Sequence, residues 1–268
     1  MPDAFSRTEQ LLGGEAMEKL SSAHVAVFGL GGVGSFAAEA LARSGVGALT
    51  IVDDDVICLT NVNRQLIALH STIGKPKVEV MRARLLDINP NIIIDERRCF
   101  LDKSTADEFD FPSFNYIVDA VDTVTAKLLL VERARAAGVP VISCLGMGNK
   151  LDPTRIETAD LSQTTICPLA RVMRHELKKL GIIHLKVVYS REPPLPPIDT
   201  ERTSCKARCV CPPESRRNCA MRRQVPGSVA WVPSAAGLII AAEVIKDIVQ
   251  SASTLEPLPA PERSALGK

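Results

Sequence analysis

The chain has 268 residues, 46% hydrophobic and 24% charged, with a formal net charge of +1. That length and mix describe a globular protein with a substantial core, and near-neutrality leaves only a local patch for any nucleic-acid contact. No apolar run reaches membrane-span length and the first ten residues lack a secretory h-region, so we expect a cytoplasmic protein with no membrane partner, whose eight cysteines are thiols or metal ligands rather than disulfides.

Residues 6–10 and 15–20 predict two short helices, with Arg7 a solvated charge by position. Residues 25–30 are apolar without polar alternation, the pattern of a central strand buried on both faces. The strand runs into Gly29-Leu30-Gly31-Gly32-Val33-Gly34. Gly29 permits a tight turn, Gly31 and Gly32 let a phosphate approach the backbone, and Gly34 allows close helix–strand packing. A helix over 33–44 then aims its positive end and free N–H groups at that phosphate. Residues 48–52 form the second strand, and Asp53, 24 positions after Gly29, stands where a carboxylate accepts ribose hydroxyls. Up to this point NAD and ATP fit equally well.

Asn61-Val62-Asn63-Arg64-Gln65 and Gly74-Lys75-Pro76-Lys77 follow. Pro76 opens a helix that carries Val78, Met81, Leu85 and Ile88 on one face and Lys77 in its first turn. Arg64 and Lys77 are two cations downstream of the glycine loop. A dinucleotide needs neither, whereas a triphosphate wants both, so the balance moves towards ATP. The four histidines lie in no hydride-transfer motif, which leaves an NAD-dependent dehydrogenase as the weakest alternative.

A buried strand over 116–122 places acidic residues at its C-terminal end, where ligands sit in open α/β sheets. Asp119 suits a structural turn. Asp122, nearest the strand end, is the better magnesium carboxylate. A helix over 125–137 and a strand over 139–145 continue a mainly parallel sheet. The glycine-bearing loop 146–154 leads to a helix over 168–180 with Arg171, Arg174, Lys178 and Lys179 set against Val172, Leu177 and Leu180, a face that is either solvated or RNA-facing. A strand over 185–189 and a stiff Pro-rich connector follow. Residues 202–223 carry seven basic residues against the single acid Glu214, together with Cys205, Cys209, Cys211 and Cys219. The basic density suits phosphate-backbone contact. The four thiols fit either zinc, an iron–sulfur cluster, or no metal at all. Residues 227–250 predict a short strand and then an apolar core helix from about residue 233. Residues 251–268 read as a disordered tail.

The segments GLGGVG, IVDDDVICLTNVNRQ, GKPKVEVMRARLLDINPN and IVDAVDT resemble the ubiquitin-activating-enzyme-like superfamily over about residues 7–150. The resemblance implies a Rossmann-like ThiF/MoeB-type adenylation fold over 1–250. A nucleotide-binding half spans about 20–150, and a crossover loop and substrate-side half span 151–250, with a basic Cys-containing insertion at 191–225. It further implies ribose at Asp53, phosphates at Asn61, Arg64 and Lys77, magnesium at Asp122, a homodimer, and Arg7 reaching the neighbouring protomer's ATP. The superfamily's zinc site uses two C-x2-C pairs; the first is absent here, with only Cys167 nearby. The loop after residue 146 and ICPLARVMRHELKKLGI at 166–182 resemble the branch of tRNA threonylcarbamoyladenosine dehydratases. That branch implies ATP-dependent cyclisation of N6-threonylcarbamoyladenosine in tRNA through an adenylated carboxylate. The alternative within the superfamily is adenylation of the C-terminal glycine of a ubiquitin-like sulfur-carrier protein, with Cys144 or Cys167 as a thioester nucleophile and a sulfur-transfer partner.

Overall fold

A computed structural model describes residues 3–198 and 226–250. Helices α1 (Ser6–Leu12) and α2 (Gly14–Ser22) precede β1 (His24–Phe28), α3 (Gly34–Arg43), β2 (Ala48–Val52), α4 (Lys77–Ile88) and β3 (Ile93–Arg97). Then come β4 (Tyr116–Asp119), α5 (Val124–Ala137), β5 (Val141–Cys144), β6 (Ile156–Asp160), α6 (Pro168–Lys179), β7 (Lys186–Ser190) and α7 (Trp231–Gln250). The strands form one seven-stranded sheet in the order β3-β2-β1-β4-β5-β7-β6. All neighbouring pairs are parallel except β6 with β7.

The apolar run of β1 is explained by its central place. Val25 and Val27 join a core under α3, α4 and α7, while Ala26 and Phe28 face a second core built from Phe109, Phe111, Phe114 and α5. A third cluster seats α6 against α5 and β7. Each face of the sheet is thus covered by helices, as parallel sheets require. From β1 the chain first builds outward through β2 and β3, then returns to start β4 on the other side of β1. The crevice between the C-terminal ends of β1 and β4 is therefore a topological switch point.

Three expectations change. The strand over 116–122 ends at Asp119, because the Val121 N–H turns back to Asp119 Oδ1 at 3.3 Å and breaks the ladder. Residues 226–230 form no strand; α7 begins directly at Trp231, with Pro233 in its first turn where it blocks no hydrogen bond. Strands β3 and β6 were not anticipated, since both mix charged with apolar residues along a partly exposed edge.

Candidate active site

At the switch point the glycines are demanded by neighbours. Gly29 has φ of 91°, and a Cβ there would lie 2.6 Å from the Ala120 carbonyl oxygen of the adjoining β4 turn. A Cβ on Gly34 would overlap the Gly29 carbonyl oxygen at 1.7 Å, so α3 can approach β1 only through glycine. A Cβ on Gly32 would lie 3.2 Å from Pro233 of α7 and 3.3 Å from the Arg64 carbonyl oxygen, a packing demand that spacing alone assigns only to Gly34. A Cβ on Gly31 would meet nothing closer than Gln65 Nε2 at 3.9 Å. Of the four, Gly31 is the one with room for a side chain at the start of α3.

Asp53 closes the loop from below. Its Oδ2 accepts the Leu30 N–H at 2.6 Å and its Oδ1 the Asp55 N–H at 2.9 Å. Lys77 reaches the same place because residues 55–57 run alongside 74–77: the Lys77 N–H donates to the Asp55 carbonyl at 3.1 Å and the Ile57 N–H to the Lys75 carbonyl at 2.9 Å. Lys77 Nζ then lies 3.0 Å from Asp55 Oδ2 and 3.4 Å from Asp53 Oδ1. Two carboxylates share one ammonium. Burial disfavours the Lys77 charge, yet Asp53 and Asp55 outweigh it and raise the Lys77 pKa. Burial, with Asp55 adding, also raises Asp53 against the pull of Lys77. Asp53, Asp54 and Asp55 stand close enough to share a cation, but Lys77 already supplies positive charge there.

Asn61 fixes the next turn, its Oδ1 accepting the Cys58 N–H at 3.0 Å. Its carbonyl receives the N–H groups of Arg64 at 3.0 Å and Gln65 at 2.9 Å. Arg64 Nη1 donates to the Thr60 carbonyl at 2.8 Å and to Asn63 Oδ1 at 3.0 Å, which holds one edge of the guanidinium. Gln65 is buried beside Gly31, and its Oε1 finds no hydrogen-bond partner among the described residues. A buried acceptor without a donor, placed against the open glycine, fits a site built for a ligand. Sequence reasoning passed over Gln65, Asp55 and Asn63; the signal for all three was adjacency to residues already singled out.

Asp119 is wholly buried, receiving Lys127 Nζ at 3.0 Å and Ser143 Oγ at 2.5 Å, so its role is structural. Asp122 lies exposed beyond the end of β4 and accepts the Thr123 hydroxyl at 3.2 Å. A hard carboxylate oxygen at that edge suits magnesium. Arg7 is exposed on α1, and Phe5 beside it packs at Gly45, past the far end of α3. The ten-residue α3 is about 15 Å long, which separates Arg7 from the glycine loop of its own chain.

Cys144 and Cys167 are both buried. Burial, with Asp119 and Cys167 adding, pushes the Cys144 thiol up to about 12, the opposite of a nucleophilic cysteine. Helix α6 is also seated differently from the expected pattern. Ala170, Met173 and Leu177 are buried, whereas Val172 and Leu180 are exposed. Arg174 turns inward, donating to the Thr164 carbonyl at 2.7 Å and the Leu161 carbonyl at 3.3 Å. The basic run 202–223 with Cys205, Cys209, Cys211 and Cys219, and the expected tail 251–268, lie outside the described residues.

A doubly wound sheet with a glycine-lined switch point, an acid below the loop and two downstream cations defines a nucleotide-binding α/β protein of the adenylating kind. The family model described as "ThiF family" matches residues 5–261, and the chain belongs to that family. It is 43% identical over 247 residues to the tRNA threonylcarbamoyladenosine dehydratase of Bacillus subtilis (strain 168), covering 92% of this chain and 94% of that protein. Among solved structures it is similar to E. coli tRNA N6-threonylcarbamoyladenosine dehydratase in complex with ATP, at 31% identity and TM-score 0.79, covering 93% of this chain and 95% of that one. The complex of the same E. coli protein with AMP gives TM-score 0.80 at the same identity and coverage. No helix among the described residues is long and apolar enough to cross a membrane.

Proposed function

We infer that this chain is an ATP-dependent tRNA threonylcarbamoyladenosine dehydratase, which closes the threonylcarbamoyl side chain of N6-threonylcarbamoyladenosine into a ring. The observation that carries the reading is near full-length likeness to the B. subtilis dehydratase, combined with a glycine loop at the switch point whose buried Gln65 acceptor has no partner among the described residues. ATP lies on the backbone of Gly29, Gly31, Gly32 and Gly34 with its ribose towards Asp53. Arg64 and Asn61 face the phosphates. Lys77 keeps Asp53 in place while adding positive charge behind the loop.

The substrate carboxylate attacks the α-phosphorus, and pyrophosphate leaves. A nitrogen or oxygen of the same modified nucleoside then attacks the acyl carbon and expels AMP. One carboxylate oxygen departs with AMP, so the nucleoside loses one water and ATP cleavage drives the change. Arg64 meets the charge that develops on the phosphate, and the α3 N-terminus points its free N–H groups the same way, so positioning and electrostatics carry the rate. Magnesium, when bound at Asp122, would add positive charge at the α-phosphate. No protein nucleophile is needed, which agrees with the buried, protonated Cys144 and disfavours a carrier-protein thioester. The protein works as a cytoplasmic homodimer in which Arg7 serves the neighbouring protomer's ATP. Residues 1–250 form one adenylation domain, and the basic segment contacts the tRNA backbone.

The deciding experiment incubates the protein with threonylcarbamoylated tRNA, ATP and magnesium, then measures nucleoside masses. Loss of one water from the modified nucleoside is expected. An unchanged nucleoside, with ATP–pyrophosphate exchange driven instead by a sulfur-carrier protein, would overturn the reading.

A further inference from the structure

One turn into α5 a lysine points inward. Lys127 is 1% exposed, and an ammonium that deep must find partners for its protons. It finds three. Its Nζ donates to Asp119 Oδ1 at 3.0 Å, to the Cys144 carbonyl at 2.7 Å and to Ser143 Oγ at 3.4 Å. Ser143 Oγ in turn donates to Asp119 Oδ2 at 2.5 Å. The network ties the start of α5 to the C-terminal ends of β4 and β5, beside the switch point. Apolar residues of the same volume would hold such a core as well as a buried ion pair does. What distinguishes the network is therefore where its bonds lead.

They lead to both sides of Asp122. Asp119 Oδ1, the oxygen that receives Lys127 Nζ, also accepts the Val121 N–H at 3.3 Å. The Lys127 N–H donates to the Thr123 carbonyl at 3.0 Å. Lys127 thus reaches the residue before Asp122 through Asp119 and the residue after it through its own backbone. The Thr123 hydroxyl closes the turn on Asp122 Oδ1 at 3.2 Å. The same turn rests on the glycine loop. The Ala120 N–H donates to the Phe28 carbonyl at 2.8 Å, and a Cβ on Gly34 would lie 3.2 Å from Ala120 Cβ. A turn released from Lys127 would shift Asp122 against Gly29 and Gly34.

We propose that Lys127 is a positioning residue for magnesium-bound ATP: through Asp119 and Thr123 it fixes the turn that carries Asp122 beside the glycine loop. Magnesium demands near-ideal octahedral geometry, so a carboxylate that serves it has to be held closely in place. The inference rests on the reading of Asp122 as the magnesium carboxylate.

The test measures ATP binding to the full-length protein by calorimetry, once with magnesium and once with EDTA. Lys127→Met keeps the length of the side chain and removes the ammonium. The Kd for ATP with magnesium should rise about tenfold, the size of one lost contact to a charged group, while the Kd in EDTA stays within about twofold of wild type. Asp122→Asn should behave in the same way, and the two substitutions together should weaken binding little more than Asp122→Asn alone, since both act through one carboxylate. Should Lys127→Met not fold with Asp119 left unpaired, Lys127→Met with Asp119→Asn removes both charges together. That pair carries the same expectation, because Ser143 Oγ and the Val121 N–H approach different oxygens of Asp119 and asparagine offers only one. Equal weakening with and without magnesium, losses that multiply in the combined variant, or an unchanged Kd in a folded variant overturns the proposal. Wild-type ATP binding indifferent to magnesium overturns the Asp122 reading and the proposal with it, and is recognised before any variant is made.

Discussion

Replacing Lys77 with alanine removes the ammonium that, among the described residues, pairs with both Asp53 and Asp55. The lysine side chain is 5% exposed, Asp53 9% and Asp55 27%. Breaking a buried pair from one side costs about 3–5 kcal/mol, since the remaining charge stays desolvated. Here Asp55 is partly solvated and Asp53 keeps the Leu30 and Asp55 N–H donors, so we take about 2–4 kcal/mol. For a chain of this size each kcal/mol lowers Tm by about 2–4 °C, which gives a fall of about 4–16 °C. The pH dependence has a definite sign. Burial already raises the Asp53 pKa and Lys77 pulls it back; without Lys77 it rises further above its unfolded value. A carboxyl with a raised folded pKa binds its proton more readily when folded, so the variant gains stability as pH falls through that pKa. Melting curves at pH 8 and pH 5 should show a gap to wild type that narrows at pH 5. A gap below 2 °C, or one that does not change with pH, would refute the shared-ammonium geometry. The variant's tRNA conversion at 20 °C and pH 8, where it remains folded, should fall at least about 100-fold, in line with losing a charge that holds the reacting phosphate's surroundings.

Other outcomes follow from single contacts. Gln65→Leu removes a buried acceptor that has no partner, so ligand-free Tm should rise by a few degrees while the KM for ATP also rises; a lower Tm with unchanged ATP KM would contradict the assignment. Gly34→Ala places a Cβ 1.7 Å from the Gly29 carbonyl, so ATP binding measured by calorimetry should be abolished, whereas Gly74→Ala, strained at φ of 85° but in open space, should cost about 1 kcal/mol and leave ATP binding intact. Cys144→Ala should retain tRNA conversion within about threefold, and iodoacetamide at pH 7.5 should label Cys144 only on unfolding, because burial pushes its thiol up to about 12.

Much of the fold was legible because the central elements are redundant in sequence. β1, β2, β4 and β5 are apolar on both faces, so their runs stand out without any periodicity argument. Helices α2, α3, α4 and α6 announce themselves by glycine or proline at their starts and by one buried stripe. The edges did not show, for the same physical reason. β3 reads Ile-Ile-Asp-Glu-Arg and β6 reads Ile-Glu-Thr-Ala-Asp, edge strands that bury little and pair on one side only. Their identity is set by the neighbours β2 and β7, and a local pattern cannot carry it. Helix α6 failed differently: Val172 and Leu180 were read into its buried stripe, yet Ala170 and Met173 occupy it. Spacing of 3.6 leaves several near-equivalent stripes when small residues serve as core, and α5 and β7 decided between them.

Individual site residues were legible where chemistry requires a residue type, and less so where it requires a partner. Gly29 and Gly34 follow from steric demand alone, and both demands are present. Lys77 was read as a cation facing a ligand; its nearest groups are Asp53 and Asp55, because a short antiparallel contact between residues 55–57 and 74–77 brings its ammonium under the loop. That contact joins segments some twenty positions apart and leaves no trace in either one. Lys127 was still harder to see. It is one basic residue in a helix, and its meaning depends on Asp119 and Cys144 arriving at its ammonium. Residues that recognise a ligand are constrained by the ligand's chemistry, which is known in advance. Residues that position those residues are constrained by chain geometry, and they become readable only when the distant segments are brought together.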